Sequence, residues 1–124
     1  MEEKPYILVA DDEPLNQMIV QSFLTDNYSI NTVNNGMECI NSLNANRLPD
    51  LIITDIEMPV MNGIDMCQLI KSNKSYQNIP IIFMSTLSGS EIEKNCKKAG
   101  GTHLFRKPVD KLELRDIVKK FIAY

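Results

Sequence analysis

The sequence is poor in the residues from which zinc and disulfide sites are built. It has no tryptophan, one histidine (His103) and three cysteines, at positions 39, 67 and 96. No two cysteines form a C-x-x-C pair, and this pattern argues against a zinc or dithiol redox site. We therefore interpret each cysteine as a small buried apolar residue of a protein in a reducing compartment.

Long apolar runs and a strong charge of either sign are also missing. No apolar run approaches the ~20 residues that span a bilayer. The first residues, MEEKPY, lack the basic and apolar regions of a signal peptide, so we expect a cytoplasmic protein. A net charge of -3 gives no reason to expect direct binding to nucleic acid or to a membrane. The length predicts a single domain over residues 1–124.

Short apolar runs alternate five times with longer amphipathic stretches. The runs predict strands at Tyr6–Ala10, Ser29–Val33, Leu51–Asp55, Pro80–Met84 and His103–Phe105. Strands that are apolar throughout, such as YILVA and IIFM, are typical of a sheet covered on both faces. Helical spacing predicts helices at Pro14–Thr25, Gly36–Asn46, Gly63–Asn73, Ser88–Ala99 and Asp110–Ala123. The alternation predicts an α/β domain with three layers, a doubly wound (βα)5 unit around a parallel five-stranded sheet.

Apolar side chains recur at helical spacing within the predicted helices. In the first helix the recurring residues are Leu15, Met18, Ile19 and Phe23. In the last helix they are Leu114, Ile117, Val118, Phe121 and Ile122. Each set lies on one stripe of its helix, which we expect to face the sheet.

Acidic residues gather where predicted strands end. Asp11, Asp12 and Glu13 follow the first strand, and Asp55 closes the third. Singly, such acids often cap the next helix. The carboxyl ends of parallel strands meet at one sheet edge, where binding sites lie, and three crowded aspartates repel each other there. A divalent cation among them offsets the repulsion, and oxygen ligands on an open edge suit Mg²⁺.

Hydroxyl groups and a cation follow the remaining strands. Ser85 and Thr86 come after the fourth predicted strand and Lys107 after the fifth. Singly, these are ordinary turn or solvated residues. Together with Asp55 and a metal they supply what phosphoryl transfer needs: a carboxylate nucleophile, charge neutralisation, and groups that hold the transferred phosphoryl.

These motifs together resemble a response-regulator receiver domain. They are the acid pair DD, the run DIEMPVMNG, the pair ST and the pair KP, and their order and spacing match over essentially the whole chain. The resemblance implies the flavodoxin-like strand order 2-1-3-4-5. It also implies a cis peptide bond between Lys107 and Pro108.

The resemblance implies that four residues hold Mg²⁺. Asp12 and Asp55 would bind the ion through their side chains. Glu57 would bind it through its backbone carbonyl, and Asp11 through a metal-bound water.

The resemblance also implies how the phosphoryl group is held. Asp55 would be the phosphoacceptor, and Lys107 would pair with the phosphoryl oxygens. The Ser85 hydroxyl would shift inward to donate a hydrogen bond to the group, and the Thr86 backbone N–H would contact it as well.

The implied function is that of a phosphorylation switch in a two-component phosphorelay. The donor would be a histidine kinase or a histidine phosphotransfer protein, and the chain would catalyse only its own phosphorylation and autodephosphorylation. Phosphorylation would shift the face formed by the fourth helix, fifth strand and fifth helix, to which a downstream protein binds. The chain could also form a homodimer through that same face.

The sequence departs from the family pattern at two positions. Leu104 stands three residues before the lysine, where the family usually has an aromatic residue, and the adjacent Phe105 should point to the other face of the strand. Glu57 places a second acid beside Asp55. We hypothesise that Glu57 alters autodephosphorylation, because it could orient or obstruct the attacking water.

Several other functions stay open or are disfavoured. A degenerate receiver that binds a partner without phosphorylation is one alternative. A Mg²⁺-dependent phosphatase with an aspartyl nucleophile is another, with Glu57 as the second acid, and turnover of an external phosphoester would reveal it. The acids after the first strand would repel the phosphate of FMN, and the GxxxxGK[ST] loop of nucleotide-binding enzymes is absent from the sequence.

Overall fold

The computed structural model describes residues 4–45 and 47–122. Its strands are β1 (Tyr6–Ala10), β2 (Ser29–Val33), β3 (Leu51–Asp55), β4 (Ile81–Ser85) and β5 (His103–Arg106). Its helices are α1 (Pro14–Leu24), α2 (Gly36–Ala45), α3 (Gly63–Lys71), α4 (Ser90–Ala99) and α5 (Lys111–Phe121). The strands form one parallel sheet in the order β2-β1-β3-β4-β5, so the predicted fold class and strand order are confirmed.

Alternation along the strands builds a separate core on each face of the sheet. Leu8 packs on one face with buried side chains of α2, α3 and α4, whereas Ile7 and Val9 pack on the other with those of α1 and α5. Successive strand residues point to opposite faces, so a strand that is apolar throughout fills both cores. The three layers therefore follow from the apolar strands.

Some predicted boundaries were wrong by one or two residues. β4 begins at Ile81 and ends at Ser85, so Ser85 belongs to the strand rather than to the loop after it. α4 begins at Ser90 instead of Ser88, because Gly89 just before the helix has a positive φ of 122°, a non-helical conformation that glycine can adopt. α3 ends at Lys71, two residues earlier than predicted.

The remaining helix boundaries also shift slightly. Asp110 caps α5 from outside, since its side chain accepts a hydrogen bond from the Glu113 N–H. Thr25 likewise lies just beyond the end of α1. The predicted ends of α2 and α5, Asn46 and Ala123, lie outside the described residues.

The predicted apolar stripe of α1 was only partly correct. The side chains that face the core are Val20 and Leu24, with Phe23 packed beside them. Leu15 and Met18 are instead 65% exposed, because the face of α1 that packs on the sheet is the one that carries Val20 and Leu24. In α5, Leu114 and Val118 are buried as predicted, and Phe121 is 38% exposed.

All three cysteines are buried, as predicted. Burial raises the pKa of Cys39 to about 12 and that of Cys67 to about 11, and it raises the pKa of Cys96 as well. The thiolate is the reactive form. Burial thus removes these side chains both from solvent and from the reactive state.

We therefore expect the native protein to resist thiol reagents. At pH 8 a disulfide reagent such as DTNB should titrate almost no thiol on the timescale of minutes, whereas the protein in concentrated urea should give all three. The comparison is made on one sample before and after adding urea. A rapid stoichiometric reaction of the native protein would show that one of these helices opens easily.

No helix among the described residues has both the length and the apolar character needed to cross a membrane.

The order of the strands brings the ends of several of them together at the carboxyl edge of the sheet. β1 and β3 lie next to each other in the middle of the sheet, so the residues after β1 and the last residue of β3 are neighbours. The elements β4 and β5 bring their own last residues to the same edge.

Candidate functional site

Three carboxylates meet at the carboxyl edge of the sheet. One oxygen from each of Asp11, Asp12 and Asp55 lies within 4.8 Å of the others. Asp11 is fully buried and Asp55 is 8% exposed, whereas Asp12 is exposed. The structure thus brings together the acids that the sequence predicted to crowd at this point.

The ammonium group of Lys107 lies between two of these acids. Its Nζ is 3.1 Å from Asp11 Oδ2 and 3.3 Å from Asp55 Oδ2. Burial disfavours the charged form of Lys107, but the hydrogen bond to Asp11 and the charge of Asp55 raise its pKa above the ordinary value. Lys107 therefore stays positively charged and balances one of the three carboxylate charges.

The carboxylate of Asp55 is short of positive charge. Its pKa is raised to about 6: burial is the main cause and the charge of Asp11 adds to it, while Lys107 acts in the opposite direction. A carboxylate with a raised pKa is poorly compensated by its surroundings. This shortage is what a bound cation at the same place would correct.

The backbone around the acids is tightly held. The Glu13 N–H donates to Asp11 Oδ1 at 3.0 Å, so both oxygens of the Asp11 carboxylate have partners. The Thr54 hydroxyl donates to the Asp55 carbonyl oxygen at 2.8 Å, and the Ile56 N–H donates to Met84 O at 3.0 Å. These bonds fix the end of β3, and with it the position of Asp55.

Gly63, the first residue of α3, packs directly on the backbone that carries Asp55. A Cβ atom at this position would lie 2.3 Å from the Asp55 carbonyl oxygen. The Gly63 N–H also donates to Ile56 O at 2.8 Å. From sequence the Asn62–Gly63 pair indicated a turn, but the structure gives the glycine a second role in this close approach of backbones.

A cleft of about 500 Å³ opens over the acidic cluster. Glu57 and Thr86 are exposed residues on its wall, together with Asp12 and the Lys107–Pro108 segment. The Lys107–Pro108 bond is cis, as the resemblance implied. The cleft is wide enough to admit a phosphoryl group and the end of the group that donates it.

Ser85 is the predicted site residue that does not line this cleft. Its hydroxyl oxygen accepts a hydrogen bond from the Leu87 N–H at 2.9 Å, and the residue is 1% exposed. Ser85 is nevertheless next to the site, because its carbonyl accepts from the Lys107 N–H at 2.8 Å. In this arrangement the hydroxyl oxygen is engaged by the loop that leads into α4.

Leu104 and Phe105 lie on opposite faces of β5, as predicted. Leu104 packs at the margin of the core beneath α2, α3 and α4. Phe105 is buried in the core beneath α1 and α5, where its ring meets that of His103 edge-on. The position that usually carries an aromatic residue in the family is thus occupied by an aliphatic side chain on the α4 side.

The residues present fit a hard divalent cation such as Mg²⁺. All candidate ligands are oxygens, which Mg²⁺ prefers. The open cleft leaves room for the water molecules that this ion keeps. The raised pKa of Asp55 indicates that the three carboxylates need more positive charge than Lys107 supplies.

Comparison with known proteins gives the family of the chain. The family model described as "Response regulator receiver domain" matches residues 7–119. A protein-glutamate methylesterase/protein-glutamine glutaminase of Clostridium acetobutylicum is 35% identical over 98% of this chain. The chain spans only 37% of that protein, so the activity that the relative is named for carries no conclusion here.

Two further relatives are covered over most of their length. The two-component response regulator ORR3 of Oryza sativa is 28% identical over 87% of this chain and 83% of its own. The receiver domain of a sensor histidine kinase of Pseudomonas aeruginosa superposes with a TM-score of 0.87 at 26% identity, over 98% of this chain and 99% of that one. That structure has a magnesium ion coordinated in its active site cleft.

Transfer of a phosphoryl group to an aspartate is the common function of such domains. This chain belongs to the response regulator receiver domain family.

Proposed function

We propose that the chain is a phosphorylation-switched receiver in which Asp55 accepts the phosphoryl group. The observation that carries this proposal is the position of the Asp55 carboxylate. It ends the central strand β3, lies 3.3 Å from Lys107 Nζ, and shares a cluster with Asp11 and Asp12. Asp11 is completely buried, so it is a poor nucleophile for a phosphoryl group that arrives from solvent.

The reaction is a displacement at phosphorus. An oxygen of the Asp55 carboxylate forms the new P–O bond while the P–N bond of a phosphohistidine breaks. The electron pair of that bond returns to the imidazole nitrogen, and the product on this chain is an acyl phosphate. Lys107 Nζ, which is already beside Asp55, stabilises the charge on the transferred phosphoryl oxygens.

Four residues would hold a magnesium ion at this site. They are Asp12 and Asp55 through their carboxylates, Glu57 through its backbone carbonyl, and Asp11 through a water. The bound ion supplies neutralisation of charge on the phosphoryl oxygens. Support comes from the oxygen-only cluster and from the magnesium ion in the cleft of the Pseudomonas aeruginosa receiver.

The phosphoryl group would change what Ser85 and Thr86 contact. In the structure the Ser85 hydroxyl accepts from the Leu87 N–H. Rotation toward the phosphoryl group would release that N–H and leave the β4–α4 loop to rearrange. The Thr86 N–H would contact the same group. Both changes act on the segment that leads into α4, so the face formed by α4, β5 and α5 is where we expect a partner to sense phosphorylation.

The partners follow from this chemistry. The phosphoryl donor would be a histidine kinase or a histidine phosphotransfer protein. The phosphorylated chain would then bind a downstream protein. It could also form a homodimer through the α4–β5–α5 face. We propose one domain over residues 1–124 in a cytoplasmic setting, where the buried reduced cysteines are stable. Its catalysis would be limited to its own phosphorylation and dephosphorylation. Glu57, which is exposed on the cleft wall, would influence the rate of dephosphorylation.

Incubation with Mg²⁺ and acetyl phosphate should add one phosphoryl group to the wild type, and Asp55→Asn should add none. The amide of asparagine is nearly the same shape as the carboxylate but is not a nucleophile. Intact mass measures the gain, and omission of Mg²⁺ should abolish it. Asp26→Asn is the matched control, since Asp26 is an exposed residue in the turn before β2, at the opposite edge of the sheet.

Two outcomes would contradict the proposal. A full phosphoryl gain by Asp55→Asn would move the acceptor to another residue. No gain by a folded wild type at any Mg²⁺ concentration would favour the degenerate receiver that binds partners without phosphorylation. Turnover of an external phosphoester by the wild type would instead favour the aspartyl phosphatase.

A further inference from the structure

The side chain of Gln17 connects α1 to the ends of two strands. Its Nε2 lies 2.5 Å from Asp11 O, 3.2 Å from Val33 O and 3.0 Å from Asn34 Oδ1. Asp11 is the first residue after β1, and Val33 is the last residue of β2. A single amide group therefore joins one helix, the loop after β1 and the neighbouring edge strand.

The chemistry of the partners fixes the orientation of this amide. The carbonyl oxygens of Asp11 and Val33 can only accept hydrogen bonds, so the group that faces them must be the NH₂ end. A carboxylate or an apolar side chain at position 17 could not make the same bonds. The side chain at position 17 must therefore carry a hydrogen-bond donor, and glutamine places that donor at the right distance from the helix.

The bonds of Gln17 close the segment that carries the acids. The chain leaves β1 at Asp11, passes through Asp12 and Glu13 and enters α1 at Pro14. The Glu13 side chain makes no capping hydrogen bond with the helix, and the backbone bonds of the segment, from the Asp11 N–H to Val33 O and from the Glu13 N–H to Asp11 Oδ1, do not engage the Asp11 carbonyl. The side chain of Gln17, in the first turn of α1, donates a hydrogen bond to Asp11 O. This bond joins the start of the acidic loop to the helix that follows it.

We propose that Gln17 is a positioning residue for the cation site. By holding the Asp11 carbonyl, Gln17 fixes the distance from Asp11 and Asp12 to Asp55 without itself touching the ion. Because cation affinity depends on ligands that are already in place, loss of this bond weakens binding even when the ligands are unchanged. This inference rests on the magnesium site of the proposed function.

The test compares magnesium binding by Gln17→Met and Gln21→Met. Methionine keeps the length and helix propensity of glutamine but cannot donate a hydrogen bond. Gln21 lies one helical turn further from the acidic loop on the same helix. Titration of ¹⁵N-labelled protein with MgCl₂, followed through the amide signals of residues 11–13 and 55, gives the dissociation constant without any phosphoryl transfer.

We expect the dissociation constant to rise about fivefold or more in Gln17→Met and to stay within twofold of the wild type in Gln21→Met. Gln17→Asn keeps the amide but shortens its reach, and it should show the same loss. It also provides the comparison if the methionine variant does not fold. Amide exchange at residues 11–13 should be faster in both Gln17 variants.

Each unfavourable outcome has a distinct meaning. If the wild type itself does not bind MgCl₂, the proposed magnesium site fails. If the wild type binds and a folded Gln17 variant has an unchanged dissociation constant, the positioning role of Gln17 is overturned while the proposed function stands. A loss of stability without a change in binding would likewise make Gln17 a purely structural residue.

Discussion

Replacement of Lys107 by methionine is expected to slow phosphorylation by about a hundredfold while it tightens the binding of magnesium. The two effects have opposite signs for one reason. Lys107 Nζ lies beside both Asp11 and Asp55. There it would stabilise the negative charge of a transferring phosphoryl group, but as a cation it would also repel a divalent ion in the same cluster.

Two measurements separate these effects. The rate of phosphorylation is measured with acetyl phosphate at saturating Mg²⁺, and the dissociation constant of MgCl₂ is measured by the same NMR titration as above, where a severalfold decrease is expected. Arg106→Met is the matched control, because Arg106 is the exposed neighbour at the end of β5 and should change neither value more than twofold. Weaker magnesium binding in Lys107→Met would show that the lysine holds the acids in place rather than competing with the ion.

Replacement of Gly63 by valine is expected to lower the free energy of unfolding by about 3 kcal/mol or more. The new Cβ would start 2.3 Å from the Asp55 carbonyl oxygen and 3.2 Å from Ile56 Cα. Both atoms belong to the backbone of the central strand or the residue after it, so no flexible side chain can move aside. Relief requires α3 to shift away from β3, and that shift breaks the Gly63 N–H bond to Ile56 O.

Urea denaturation followed by circular dichroism measures this loss. Lys111→Val is the control, since Lys111 is likewise the first residue of a helix but is exposed. That control should cost less than about 0.5 kcal/mol. The Gly63 variant should also phosphorylate poorly at a temperature where it is folded, because the clash falls on Asp55, the proposed nucleophile. A free energy of unfolding equal to that of the control would mean that the approach of α3 to β3 is looser than the structure indicates.

The fold could be predicted from the sequence because its strands carry an unambiguous pattern. YILVA and LIIT are near-continuous apolar runs, and residues such as Ile7 and Leu8 fill opposite faces of the sheet. A parallel sheet then brings the acids after β1 and the acid that ends β3 to one edge. The gathering of Asp11, Asp12 and Asp55 was predictable for the same reason.

The side-chain orientations could not be predicted in the same way. Leu15 and Met18 have helical spacing, but which stripe of α1 faces the core depends on how the helix packs, and they are exposed. The direction of the Ser85 hydroxyl depends on a competing backbone donor, Leu87 N–H. Periodicity does not encode such rotations.

Roles that depend on one close contact were also invisible in the sequence. Gly63 was interpreted as part of a turn, and only the distance to Asp55 O shows that no larger residue fits. Gln17 belongs to no motif, and its importance lies in three acceptors, one in the loop before α1 and two at the end of β2. Both residues support the site without belonging to it.

The central claim is that Asp55, rather than another member of the acidic cluster, receives the phosphoryl group. Borohydride reduction tests it most directly, because it converts an aspartyl phosphate to homoserine and so marks the acceptor in the sequence. After phosphorylation, reduction and proteolysis, tandem mass spectrometry should find homoserine at position 55 and unchanged aspartate at positions 11 and 12. Homoserine at Asp12 or Asp11, or a phosphorylated protein that yields no homoserine at position 55, would contradict the account.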